Sequence, residues 1–90
     1  MPTRTVTIAS SVGLHARPAA LLASAVNASG LDVSVALPEG DPVDAGSILE
    51  VMTLGAAHGD TVTLAAEGDG AETLLDSLVE LLSRDLDNGE

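Results

Sequence analysis

The feature that most constrains the fold is an alternation of larger apolar residues with polar or small residues in three short segments. Residues 4–9, 31–37 and 61–66 all repeat with a period of two, which is the pattern of β-strands with one buried face. In the first segment, Val6 and Ile8 would lie on the buried side. Because a sheet with one polar face needs helices over its other face, these strands favour a two-layer α+β architecture.

Helical signals fill the segments around these strands. The run from Ala16 to Asn27 or Ala28 is rich in small apolar helix formers, Pro18 fits its first turn, and Gly30 is expected to end it. Near the end of the chain, an apolar stripe at helical spacing predicts an amphipathic helix. The stripe comprises Ala71, Leu74, Leu75, Leu78, Leu81 and Leu82.

The middle of the chain predicts a hairpin followed by a short helix. Residues 38–42 carry a strong turn signal, and residues 43–45 would form an edge strand paired with the second strand. Ser47 and Glu50 fit a capping box, in which the serine hydroxyl and the glutamate side chain each accept a backbone N–H. The helix would run to about Met52 or Thr53. The resulting order, βαββαβα, predicts a four-stranded antiparallel sheet covered on one face by three helices, with residues 1–90 in one domain.

The charge of the chain excludes several classes of partner. Fourteen acidic residues stand against three arginines and no lysine, for a formal net charge of −11 at pH 7. Such a surface repels nucleic acids and anionic lipids. The chain has no cysteine for a disulfide or thiolate site, and neither a signal-peptide pattern nor a membrane-spanning run. We therefore expect a cytoplasmic protein, monomeric and independent of nucleic acid and membrane.

His15 is the residue best placed to carry chemistry, at about the N-cap of the first predicted helix. Imidazole can attack as a neutral nucleophile near pH 7 and later leave as a neutral group. The helix dipole disfavours imidazolium and favours an attached phosphate. Because Pro18 has no N–H, the phosphate-binding donors of this turn would be the backbone amides of Ala16 and Arg17, together with the Arg17 guanidinium. The spacing alone also permits an ordinary cap beside an exposed charge.

A family resemblance favours the chemical interpretation. Residues 13–19, Gly-Leu-His-Ala-Arg-Pro-Ala, resemble the active-site signature of the HPr family, the histidine phosphocarriers of the bacterial phosphoenolpyruvate-dependent sugar phosphotransferase system. Residues 47–55 resemble the regulatory-serine segment of that family, and residues 65–68 resemble its last strand and turn. The resemblance covers essentially the whole chain and implies the open-faced β-sandwich of the family.

The resemblance also implies roles for individual residues. His15 would accept a phosphoryl group on Nδ1 from phosphorylated enzyme I and donate it to the IIA domains of sugar permeases. Arg17 would assist transfer as the second catalytic residue, and no cofactor would be needed. Ser47 matches the serine that a dedicated kinase phosphorylates in some members, and a phosphorylase would act on the same residue. A plain capping role for Ser47 is the alternative.

Departures from the family pattern change the expected mode of docking. Val12 stands where many members have a small polar residue that can hydrogen-bond the active-site imidazole, so another group, such as a backbone group, must orient the ring. Ser24 and Asn27 stand where several relatives have lysines that meet acidic partners. Docking should then depend on apolar contacts. The candidate partner surface comprises Leu14, Ala20, Leu21, Ile48 and Met52, whereas Leu49 is expected to lie in the core.

Other functions fit the same residues less well. A related carrier could serve a nitrogen-regulatory or dihydroxyacetone-kinase branch, and a non-catalytic module of ferredoxin-like shape could bind an anion at the His15 turn. A hydrolase using Ser10 or Ser11 is the weakest alternative, since no nucleophile elbow surrounds them. His58 is expected in a solvated loop. With two histidines and no cysteine, no metal site is predicted.

Overall fold

The computed structural model describes residues 2–8, 16–55, 57 and 59–83. The predictions for Leu14, His15 and His58, and those for the residues between Ile8 and Leu14, lie outside this part of the chain. The described strands are β1 (Thr3–Thr7), β2 (Val33–Ala36), β3 (Val43–Asp44) and β4 (Thr61–Ala66). The described helices are α1 (Ala16–Ser29), α2 (Ile48–Thr53) and α3 (Ala71–Ser83).

The four strands form one antiparallel sheet in the order β1-β4-β2-β3. Thr5 lies opposite Thr63, and Val35 lies between Leu64 on one neighbour and Val43 on the other. Because β4 is antiparallel to both β1 and β2, those two strands run parallel with β4 between them. The element order and the antiparallel sheet predicted from the sequence are confirmed, with α1 as the crossover from β1 to β2.

The buried face of the sheet and the buried sides of the helices share one hydrophobic core. From the strands, the core receives Val6, Val33, Val35, Val62, Leu64 and Ala66. From the helices, it receives Ala19, Leu22, Val26, Val51, Ala71, Leu75, Leu78 and Leu82. The opposite face of the sheet carries polar and small side chains such as Thr5, Thr63 and Ser34. This distribution follows from the period-two pattern, since every second side chain points away from the helices.

The ends of several elements differ slightly from the predicted ones. The alternating pattern predicts β2 over residues 31–37, but only Val33–Ala36 are paired as a strand. Residue 45 leaves β3 while its N–H still donates to the Val33 carbonyl at 2.9 Å and its side chain is fully buried. Helix α1 continues to Ser29, and Gly30 follows it with a φ of 74°, the left-handed conformation that ends helices.

Candidate functional site

Helix α1 begins at Ala16, the residue that follows His15 in the sequence. The predicted start of this helix is therefore confirmed, although His15 itself lies outside the described residues. The backbone amides of Ala16 and Arg17 belong to the first turn of α1, where N–H groups have no partner within the helix. Pro18 is fully buried, so this turn is fixed against the core. The arrangement leaves two backbone donors at the positive end of a helix of 14 residues.

Arg17 is the described cation that is available to an anion. Its side chain is exposed, and within the described residues it makes no ion pair or hydrogen bond. Arg4, by contrast, donates from Nε to Oδ1 of Asp76 at 2.9 Å and thereby links β1 to α3. Arg84 lies outside the described residues. The Arg17 guanidinium could therefore bind a phosphoryl group directly, because it has no ion pair to a carboxylate among the described residues that would have to break first.

Exposed apolar side chains of α1 and α2 form the second part of the candidate site, and the two helices pack against each other. The large apolar side chains that are exposed in the described chain all belong to these helices. They are Leu21 at 39%, Ile48 at 42%, Leu49 at 78% and Met52 at 42% exposure. Together with the half-buried Ala20, we call them the α1–α2 apolar surface. Leu21, Ile48 and Met52 are therefore accessible to a partner, whereas Leu14 lies outside the described residues.

The prediction that Leu49 belongs to the core is wrong. Helix α2 has six residues and a single buried position, Val51. Successive residues rotate by about 100° around a helix, so Leu49 lies about 200° from Val51 and faces away from the core. The sequence of α2 does not show which side of the helix faces the core, because four of the five residues 48–52 are apolar. Only the burial of Val51 in the structure identifies that side.

Ser47 caps α2, as predicted. Its backbone is extended, with φ −115° and ψ 116°, and its Oγ accepts the N–H of Glu50 at 3.3 Å. The other half of the predicted capping box is wrong, because Oε1 of Glu50 accepts the N–H of Asp44 at 3.0 Å. The Ser47 N–H is already used, since it donates to the Asp44 carbonyl at 3.1 Å. The Glu50 carboxylate therefore accepts a backbone N–H from a residue six positions earlier in the chain.

The turn before Ser47 also contacts α1, a feature that the sequence analysis missed. Nδ2 of Asn27 donates to the Gly46 carbonyl at 3.0 Å, and the Gly46 N–H donates to Oδ1 of Asp44 at 2.9 Å. From the sequence, Asn27 stands out only as a position where relatives have lysine. A local pattern gives no signal for a contact between residues 19 positions apart.

Two negative observations complete the description of the site. Among residues 2–8, 16–55, 57 and 59–83, no group of three or more His, Asp or Glu side chains is arranged to hold a metal ion. None of the helices that these residues form combines the length and the apolar character needed to cross a bilayer.

Comparison with known proteins agrees with these features. The family profile described as "PTS HPr component phosphorylation site" matches residues 2–84. Phosphocarrier protein HPr of Streptomyces coelicolor is 40% identical over 87 residues, which cover 97% of this chain and 94% of the relative. HPr of Haloferax volcanii is 46% identical over 81 residues, which cover 89% and 91% of the two chains. A crystal structure of HPr from Thermoanaerobacter tengcongensis superposes with a TM-score of 0.88 at 34% identity, with both chains fully covered.

Proposed function

This chain belongs to the HPr family, the phosphocarriers of the phosphotransferase system, and we propose that His15 is the residue that carries the phosphoryl group. The observation that carries this proposal is the start of α1 at Ala16, directly after His15, with first-turn amides that have no partner within the helix and an Arg17 that makes no ion pair among the described residues. No other described segment combines a helix start, an unpaired cation and an adjacent histidine in the sequence.

The proposed transfer is a direct exchange between two histidines. The lone pair on Nδ1 of His15 attacks the phosphorus of a phosphohistidine on enzyme I, so that one N–P bond forms while the other breaks and the donor imidazole leaves as a neutral group. The Ala16 and Arg17 amides donate to the transferred phosphoryl oxygens, and the Arg17 guanidinium offsets their charge. The reverse sequence of contacts then delivers the group to a IIA domain.

The α1–α2 apolar surface is the proposed docking site for both partners, with Leu14 as a further member. Enzyme I and the IIA domains would each cover the same side chains, since each must approach the same histidine. Burial of apolar side chains excludes water around the reacting atoms, which protects a phosphohistidine from hydrolysis during transfer. In this proposal the protein acts as a cytoplasmic monomer, and no cofactor, metal, membrane or nucleic acid takes part.

Incubation with phosphoenolpyruvate and purified enzyme I tests the carrier function. Wild-type protein should gain one acid-labile phosphate, detected by intact mass, and should lose it when a cognate IIA domain is added. His15→Ala should gain none. The proposal fails if the wild type remains unmodified, or if His15→Ala gains as much phosphate as the wild type.

Arg17→Glu tests the proposed role of the guanidinium. The change reverses the charge beside the phosphoryl group, so transfer from enzyme I should slow by at least 10-fold, the order expected for loss of one charged contact in a transition state. Because Arg17 is exposed and unpaired among the described residues, thermal unfolding should change little. Arg84→Glu is the charge-matched control and should retain the wild-type rate. Equal rates in both variants would remove Arg17 from the mechanism.

Ser47 is proposed as a candidate regulatory site for a serine kinase and a matching phosphorylase. A phosphate is favourable at a helix N-terminus. Glu50, however, donates its backbone N–H to Ser47 Oγ, and its negative side chain would repel a phosphate on Ser47. Incubation with ATP and the cognate kinase distinguishes the two roles of the serine. Phosphate on the wild type and none on Ser47→Ala would support regulation, and an unmodified wild type would leave only the capping role.

A further inference from the structure

The turn that leads into α2 has two sets of hydrogen bonds, one local and one to α1. The local set joins the Gly46 and Ser47 amides to Asp44, and the Asp44 amide to Glu50. These bonds fix the shape of the turn but do not fix it relative to α1. The bond from Asn27 Nδ2 to the Gly46 carbonyl, 3.0 Å long, is the described hydrogen bond that joins the last part of α1 to this turn.

Gly46 allows α1 and the turn to approach this closely. A Cβ at residue 46 would lie 3.0 Å from Oδ1 of Asn27 and 3.4 Å from Cγ1 of Val26. The first distance is shorter than carbon and oxygen atoms normally approach, so the Asn27 amide would have to shift by a few tenths of an ångström to admit a side chain here. The absence of a side chain at Gly46 and the amide of Asn27 together set the separation of α1 from the start of α2.

Helix α2 depends on such anchors because it is short. Its six residues cannot form a stable helix alone, and Val51 is its only residue that is buried in the core. The α1–α2 apolar surface is nevertheless divided between both helices, with Leu21 on α1 and Ile48 on α2. The shape that this surface presents to a partner therefore depends on the position of α2 relative to α1.

We infer that Asn27 is a positioning residue, whose amide holds α2 against α1 and thereby sets the docking surface of the phosphocarrier. The inference that a partner docks here rests on the proposed function. The inference that Asn27 positions α2 rests on its hydrogen bond to the Gly46 carbonyl. Asn27 lies 11 residues after Ala16, or about 16 Å along the helix axis. It therefore acts on the affinity for the partner and not on the transfer step at His15.

A pair of variants with equal charge tests the inference. Asn27→Asp keeps the shape of the side chain but replaces the donor N–H with an acceptor, so the bond to the Gly46 carbonyl is lost. Ala28→Asp adds the same charge in the same turn of α1. Ala28 is exposed and makes no described hydrogen bond to residues 44–47. Any effect of charge near the helix C-terminus is common to both variants.

Two measurements should separate these variants. Hydrogen exchange of the amides of residues 46–51 should accelerate in Asn27→Asp and stay as in wild type in Ala28→Asp. In phosphoryl transfer from enzyme I, the KM of Asn27→Asp should rise roughly 2- to 12-fold, the range that one hydrogen bond contributes, at unchanged kcat. Ala28→Asp should keep both constants.

The two measurements also separate failure of this inference from failure of the proposed function. If wild type accepts no phosphate, the carrier proposal fails, while the exchange data still decide whether Asn27 holds α2. Equal exchange in the two variants would overturn the inference. A change of exchange in Asn27→Asp without a rise in KM would also overturn it, and so would a loss confined to kcat.

Discussion

Leu49→Ala is the perturbation that tests the docking surface most sharply. Leu49 is 78% exposed, more than any other large apolar side chain in the described chain, and it lies on the side of α2 opposite the buried Val51. Its truncation should leave the free energy of unfolding within about 0.5 kcal/mol of wild type, as for other surface changes. A partner that covers α2 would, however, lose the burial of three carbon atoms.

The size of the expected effect on docking follows from that burial. At ~0.8 kcal/mol for each buried carbon, full coverage by the partner would lose about 2.4 kcal/mol, and half coverage would lose about 1.2 kcal/mol. We expect a loss of about 1–2 kcal/mol, which raises the KM or Kd for enzyme I roughly 5- to 30-fold. Steady-state transfer and thermal unfolding should be measured on the same preparation.

Thr5→Ala is the control for this prediction. Thr5 is exposed on the open face of the sheet, away from α1 and α2, and its truncation should alter neither docking nor stability by much. If Leu49→Ala and Thr5→Ala give the same KM as wild type, α2 does not take part in docking. If Leu49→Ala unfolds at a clearly lower temperature, the side chain contributes to the core after all.

Three further predictions concern the stability of the fold. Val51→Ala, which removes two fully buried carbon atoms, should lower the free energy of unfolding by about 2 kcal/mol and Tm by roughly 10 °C, and an unchanged Tm would contradict the burial of this residue. Ser47→Ala should cost about 0.5–1 kcal/mol in urea denaturation through loss of the cap, whereas Ser47→Asp, which keeps an acceptor, should cost less. Added NaCl should raise the urea midpoint of unfolding. The net charge of −11 is confined to a molecule with a radius of gyration of 11.6 Å, so its acidic groups repel one another, and salt screens this repulsion. A midpoint that falls with added salt would contradict this explanation.

The sequence predicted those parts of the fold that local chemistry determines. Strand β4 has the predicted bounds of 61–66, since its alternation is regular and Asp60 and Glu67 flank it. The start of α1 at Ala16 follows from Pro18, and its end follows from Gly30. The apolar stripe of α3 faces the core as its spacing requires, with Leu75 and Leu78 fully buried and Leu74 and Leu81 half-buried.

The parts that the sequence did not predict depend on contacts between distant residues. The phase of α2 was assigned wrongly at Leu49 because six residues are too few for a helical period to be recognised. The Glu50 side chain accepts the N–H of Asp44 and not that of Ser47, because the Ser47 N–H donates to the Asp44 carbonyl. The Asn27 bond to Gly46 exists only once α1 and the turn have been brought together.

Assignment of the phosphorylated nitrogen tests whether His15 is the residue that carries the phosphoryl group. The chain has two histidines, His15 and His58, so an acid-labile phosphate alone does not identify the carrier residue. After reaction with phosphoenolpyruvate and enzyme I, two-dimensional NMR that correlates phosphorus with the imidazole protons would assign the modified ring and nitrogen. We expect a single phosphate on Nδ1 of His15, with His58 unmodified. A phosphate on His58, or a wild type that gains none under conditions in which enzyme I is phosphorylated, would contradict it.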